Sequence, residues 1–563
     1  MTVAPAIRPA AKACRNPLSR LLTITAPLIL ALAIPASAPA QEHAHHQAKA
    51  QSLGAVHFPI SCAAEAQPEF EQAVALLHHM MYQEARKAFA QVAEKHPGCA
   101  MAHWGVAMTH FQPLWHPQRD DDYQLGLEAV KKAKGLNPGS DRERVLIAAV
   151  EALYAAPEVA DWWTRLQRWS TGMEQAYRAH PDDNEIAAFY ALSQLAAAQV
   201  AEDRPARNEI AAELLAQIHA RAATHPGAIH YTIHANDMDG RAGNSLDVVR
   251  SYVDVAPSVP HALHMPTHIF VRLGAWEDVI EWNLKSAEAA LRFPAGDATS
   301  LHYPHALDYL MYAHLQRADD QKARAVLEDA LAKERYQDEF ASAFHMASIP
   351  ARYAVERREW AEAAGLMPRT PESLAWDRYA WPEAITWFAK GLGAVASGDL
   401  AAAQKAEAKM QGLRSKAEAA GQKDFARYIE IDRLILSGWV AQGEGDSEKA
   451  FAQVSAAAEL EGTIQKHPIT PGALVPAYEA LGDLLMKQGK HAEALGAYEA
   501  SRQTWPGRFN TLLGAARAAR EAGEYQKARA HYAELLDVVD GTATSRPAVK
   551  EAREFVARPA AGS

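Results

Sequence analysis

The chain has 563 residues, 49% of them hydrophobic and 22% charged, a composition that excludes wholesale disorder, collagen-like chains and polytopic membrane proteins. Lys and Arg total 57 against 68 Asp and Glu, and the first 40 residues hold four basic and no acidic residues. The remainder is therefore more acidic still, without the basic footprint of a nucleic-acid binder. Alanine is abundant throughout and sustained runs of Val, Ile, Thr and Tyr are missing, which predicts an all-α fold packed through small side chains. A chain this long forms several domains or one array of small units.

At the start of the chain, Arg15 and Arg20 precede an apolar run from Leu21 to Ile34 that ends in Ala36-Ser37-Ala38-Pro39-Ala40. This layout predicts a signal peptide over 1–40, cut before Gln41, and a periplasmic or secreted mature protein. The run contains Pro27 and falls short of the roughly 20 residues a membrane span needs, so no span is expected after cleavage. Cys14 leaves with the signal. Cys62 and Cys99 remain, either as one disulfide or as two buried thiols. The expected new terminus, Gln41-Glu42-His43-Ala44-His45-His46, either captures Cu(II) or Ni(II) through its amine and third-position histidine or opens a flexible linker over 41–60.

Further along, Gly489, Ala494 and Tyr498 recur 34 residues later as Gly523, Ala528 and Tyr532. A small turn residue, an alanine five on and an aromatic four beyond, at this period, resemble the tetratricopeptide repeat (TPR). The resemblance implies helix pairs stacked into a TPR-like α-solenoid with a concave surface. Looser turn signatures fall at Tyr82, Gly243, Gly274, Ala318, Arg358, Gly398 and Gly445. They predict an N-terminal solenoid over 61–365, a linker over 366–382 around Pro368 and Pro371, C-terminal repeats over 383–540 and a poorly ordered tail over 541–563.

The 25 histidines are concentrated in the middle of the chain. In TPR proteins positions 2, 5 and 9 of the first helix face the groove. The resemblance places there His261, His264 and His268, then His305, Asp308 and Tyr312, then His345, Ser348 and Arg352. His230 and Asp237 take equivalent places in a less regular repeat, with His234 between them. Histidines on adjacent repeats predict a divalent transition metal (Zn, Cu, Fe or Ni), held by His264 and His268 together with His230 and His234 or with His305 and Asp308. Pro266 between His264 and His268 is expected to kink the helix and act against that pairing. The alternative is a metal-free polar groove in which His261, Asp237, Tyr312, His345 and Arg352 grip a protein or peptide ligand. HExxH, GxSxG, P-loop and GxGxxG motifs are missing.

Taken as a set, Ser61-Cys62, Cys99-Ala100-Met101-Ala102-His103-Trp104-Gly105, His225 to His234, Pro260 to Phe270 and Ile349-Pro350-Ala351-Arg352-Tyr353 resemble a family of exported bacterial TPR proteins. The likeness covers roughly residues 55–485. It implies the fold and the histidine-rich centre and carries no reaction. Three functions stay open: a scaffold for a protein or peptide partner in the concave groove, a metal-dependent hydrolase or oxygenase, and a metal storage or delivery protein.

Overall fold

The computed structural model describes residues 52–115, 117–155, 161–199 and 203–558. The expected signal peptide and the Gln41–His46 metal reading lie outside them. Among the described residues the regular elements are helices, accompanied by two isolated β-bridges. No described helix is long and apolar enough to cross a membrane.

Consecutive helices pack as hairpins: Ala66–His78 on Tyr82–Lys95, Trp276–Ala290 on His302–Gln316, and Phe509–Glu521 on Tyr525–Val538. The turns follow the sequence signature. Gly489 and Gly523 have φ of 72° and 82°, a left-handed conformation that glycine adopts without steric cost. Ala318 and Arg358 take the same conformation at 55° and 57°, at a cost of about 1–2 kcal/mol each. Ala494 and Ala528 are fully buried, which lets the paired helices approach closely. Gly243 is the exception: Ala242–Ser245 is a 3₁₀ turn followed by the short helices Leu246–Arg250 and Tyr252–Val255.

Several expected boundaries shift. One continuous core runs from Leu53 to Ala313 and a second from Ala287 to Leu484, so the change of core falls near 287–313 and not at 366–382. In that expected linker Leu374 and Trp376 are buried, and Ala380 begins the helix Ala380–Ala396. Nor do residues 52–60 behave as free linker: Leu53 and Phe58 are buried, Phe58 against Phe70 and Trp104. Cys62 and Cys99 form a disulfide that ties this entry to the second repeat. The expected tail contains the helix Pro547–Ala557, which buries Val549 and Ala552 on a cluster with Phe509 and Tyr532.

The largest departure lies between the helices Ser447–Glu461 and Ala477–Lys487. This crossing, residues 463–476, contains no helix and lies over the faces expected to line the groove. Lys466 Nζ donates to Asp237 Oδ2 at 3.1 Å. The Tyr309 hydroxyl lies 3.2 Å from the carbonyls of Pro468 and Thr470, and Arg352 Nη2 donates to the Gly472 carbonyl at 3.1 Å. A Cβ at Gly472 would come within 2.9 Å of the Tyr312 hydroxyl, so glycine permits the closest approach. In consequence His261, Tyr312, His345 and Arg352 are at most 3% exposed. The expectation that they line an open peptide groove is corrected: residues 463–476 of the chain itself pack over this region.

Candidate metal centre

Three helices bring His264, His268 and His305 together. Pro260 and Pro266 each open a short helix, Pro260–His264 and Pro266–Leu273, where a missing N–H costs nothing. The break at Met265 keeps His264 and His268 together rather than parting them: their Nε2 atoms lie 3.0 Å apart. The helix His302–Gln316 adds His305, whose ring centroid is 4.0 Å from that of His264. One ligand atom each from His264, His268 and His305 lie within 4.8 Å of one another, and all three residues are buried.

The hydrogen-bond partners fix which nitrogen of each ring carries a proton. Asn283 Nδ2 donates to the Val279 carbonyl, so its Oδ1 faces His264 Nδ1 at 2.7 Å as an acceptor. His264 Nδ1 is therefore protonated, which leaves a lone pair on Nε2. His268 Nδ1 lies 3.0 Å from Asp237 Oδ2. The same carboxylate accepts from Arg272 and Lys466, and these charges hold it well below the usual carboxylate range despite burial. His268 Nδ1 is thus the donor, and its Nε2 also carries a lone pair.

His305 is oriented by a longer relay. His345 Nδ1 lies 3.1 Å from Asp308 Oδ2 and His345 Nε2 lies 2.6 Å from His305 Nδ1. Asp308 is an ion-paired carboxylate, bonded to Arg352 Nε at 3.0 Å. The proton order along this chain leaves His305 Nε2 with a free lone pair. Burial, with the repulsion of neighbouring imidazoles, pushes the pKa values of His264 and His305 well below their ordinary value; burial also lowers that of His268. Three neutral imidazoles thus lie together, the lone pairs of His264 and His268 facing each other, and each ring is held by Asn283, Asp237 or the His345–Asp308 pair, the outer-shell arrangement that a histidine-ligated metal uses.

The remaining expected ligands play other parts. Asp308 spends both oxygens on His345 and Arg352 and stands behind His305 rather than beside the trio. That ion pair also makes Arg352 structural rather than a free grip for a ligand carboxylate. Tyr312 bonds Arg508 at 3.1 Å. His230 Nδ1 lies 2.6 Å from the His78 carbonyl, and His230 Nε2, His234 Nε2 and both nitrogens of His261 have no protein partner. Beside the trio lies a cavity of about 20 Å³ lined in part by His234, His261, His302 and His467, room for about one water. The Tyr309 ring stands 4.5 Å from His264 and ties the trio to the crossing. Asn283, Tyr309 and Lys466 carry no motif in the sequence.

A second buried trio, His78, Glu185 and His225, differs in kind. His78 bonds Glu185 at 2.8 Å and the Tyr231 hydroxyl at 3.0 Å. His225 Nδ1 accepts from the Ala228 amide and its Nε2 lies 3.3 Å from Glu185. Glu185 also receives the His57 amide. Through Glu185 these groups fasten the entry segment to the core.

An array of helix hairpins around a histidine-lined interior defines an all-α, TPR-like solenoid. Tetratricopeptide repeat families match at residues 70–140 and 474–540, so the chain carries such repeats towards both ends of the array. No curated protein matches it. Among solved structures it is similar to one titled as the crystal structure of the APC/C hetero-tetramer Cut9-Hcn1, at 13% identity over 88% of this chain and 96% of that chain, with a TM-score of 0.26.

Proposed function

We propose that this protein is an exported TPR solenoid that holds a divalent transition metal on His264, His268 and His305. One observation carries the reading. The Nε2 atoms of His264 and His268 face each other at 3.0 Å although the partners of both rings leave a lone pair on each. Two such lone pairs repel unless a cation is shared between them, and burial disfavours a proton in that role. Neutral imidazoles without cysteine suit Zn, Cu, Fe or Ni. When bound, such a metal supplies Lewis acidity to a ligand the size of water, which the adjoining cavity accommodates. Asp237, Asn283 and the His345–Asp308 pair hold the rings in register, and the crossing segment excludes bulk water. The Cys62–Cys99 disulfide favours an oxidising compartment.

TPR arrays commonly bind proteins, and the matched repeats favour a second reading in which the chain is also a scaffold. The crossing then moves the partner away from the histidines, towards the cavity of about 450 Å³ between the helices Phe340–Glu356, Ala380–Ala396 and Ala477–Lys487, lined in part by Trp360, Trp439 and Lys487.

The test is elemental analysis of mature protein purified without chelator, beside His264→Ala/His268→Ala and the volume-conserving His305→Gln. Near-stoichiometric metal that falls in both variants while helical circular dichroism persists is expected. Wild-type protein that is metal-free and takes up none of the four metals on dialysis refutes the site.

A further inference from the structure

A second cavity, about 160 Å³, opens where the helices Lys423–Glu444 and Ser447–Glu461 meet the crossing segment. Its walls include Trp381, Tyr428 and Trp505, and the Trp381 and Tyr428 rings stack with centroids 4.5 Å apart. Two half-buried carboxylates, Asp432 and Glu461, face it. Glu461 accepts one hydrogen bond, from the Ala477 amide.

The basic groups of the wall are already neutralised. Arg352 is paired with Asp308, and Lys466 with Asp237. Asp239, the third acidic group of the wall, is paired with Arg272. Behind the wall, Arg508 is shared between Glu356 and Glu479. Of the acidic groups on this wall, Asp432 and Glu461 are thus left without an ion pair among the described residues. Burial and the repulsion of Glu461 raise the Asp432 carboxyl well above its ordinary value, and burial pushes Glu461 up to about 7.

Three further polar atoms on the same wall lack partners, one of them the Trp505 Nε1 donor. Gln465 Oε1 is a buried acceptor without a donor, and the Ser348 hydroxyl, on a residue 2% exposed, is also unbonded. The free groups are therefore two carboxyl groups, an amide oxygen, a hydroxyl and the Trp505 N–H, beside aromatic faces. Acceptors in excess of donors, set against π-faces, are the complement of an N–H-bearing organic cation.

We infer that this cavity binds a primary alkylammonium group, with Asp432, Glu461 and Gln465 accepting its hydrogens and Trp381, Tyr428 and Trp505 enclosing its alkyl stem. The volume, close to the roughly 150 Å³ that holds benzene in an engineered cavity, suits a chain of four or five carbons. A free alkylamine and a lysine side chain present the same chemistry. The inference stands apart from the metal reading, since none of these groups touches His264, His268 or His305.

The test is calorimetric titration of the mature full chain with n-butylammonium, Nα-acetyl-lysine amide and, as an uncharged control, 1-pentanol, with tryptophan fluorescence as a second signal. At least one amine is expected to bind, with the alcohol about tenfold weaker or worse. Asp432→Asn/Glu461→Gln is expected to lose about tenfold or more in amine affinity with unchanged circular dichroism. The single Asp432→Asn variant, on a half-exposed side chain, serves if the pair does not fold. Tighter binding of butylammonium assigns a free amine, and tighter binding of the lysine derivative assigns a partner's side chain; either supports the inference. No binding of either amine at millimolar concentration, equal binding of pentanol, or undiminished binding in the variants overturns it.

Discussion

Lys466 and Asp237 lie 229 residues apart in sequence and 3.1 Å apart in space. The carboxylate that receives Lys466 also receives His268 Nδ1 at 3.0 Å and Arg272 Nε at 2.9 Å. One buried anion therefore anchors the crossing segment and sets the tautomer of a proposed ligand.

Replacing that anion tests both roles. Asp237→Asn leaves Lys466 buried without its charge partner and Arg272 with Asp239 alone, and breaking a buried ion pair in this way costs about 3–5 kcal/mol. The urea midpoint should fall accordingly. Metal affinity, measured by competition with a chelator, should drop about 10–100-fold. Unchanged stability and affinity would refute the assignment.

The acid response follows from the neutral histidines. Burial pushes His79 and His234 down to about 3 and His302 down to about 4, against an ordinary value of about 6.5. The unfolded chain binds these protons first, so their contribution to stability is complete above pH ~6.5 and is lost progressively towards pH ~3. Thermal melts should show a falling transition temperature from pH 7 to pH 5. A flat profile over that range would contradict the buried, uncharged state of these rings.

The Cys62–Cys99 bond closes a span with a sequence separation of 37. On the chain-entropy scale such a loop is worth about 4 kcal/mol. Dithiothreitol, or Cys62→Ser/Cys99→Ser, should lower the melting temperature and expose the first hairpin to protease. Mass spectrometry showing two free thiols in protein recovered from the periplasm would count against an exported, oxidised state.

Loosening the crossing should be visible without unfolding the rest. Lys466→Ala removes the ammonium that binds Asp237 and the Thr470 carbonyl, while Arg272 continues to balance Asp237. Proteinase K should then cut between Gly462 and Pro476 several times faster than in the parent, because protection of such a segment tracks its local opening. Equal cleavage rates would show that Tyr309 and Arg352 hold it by themselves.

The repeats were legible because their signals are local. Gly489, Ala494 and Tyr498 mark a turn, a close helix contact and its filling aromatic within ten residues, and the 34-residue spacing repeats them. The histidine pairs were legible for the same reason, since residues four apart share a helix face. What covers them was not. Residues 463–476 hold Pro468, Pro471 and Gly472, which announce irregular backbone but not where it docks, and contacts to Asp237, Tyr309 and Arg352 span more than 100 residues. The grouping of His305 rather than His230 with His264 and His268 was hidden too, because it depends on the His78 carbonyl reaching across 152 positions to His230.

The crossing also changes how the array should come apart. Stacks of repeats that touch only their neighbours unravel from the ends, each unit leaving at little expense to the others. Here residues near 470 grip helices that begin at 226, 302 and 340, so freeing the late repeats strips the cover from the early ones. Equilibrium unfolding of the middle of the chain should accordingly be one sharp transition, and clipping away the final repeats should unsettle the histidine centre far upstream of the cut.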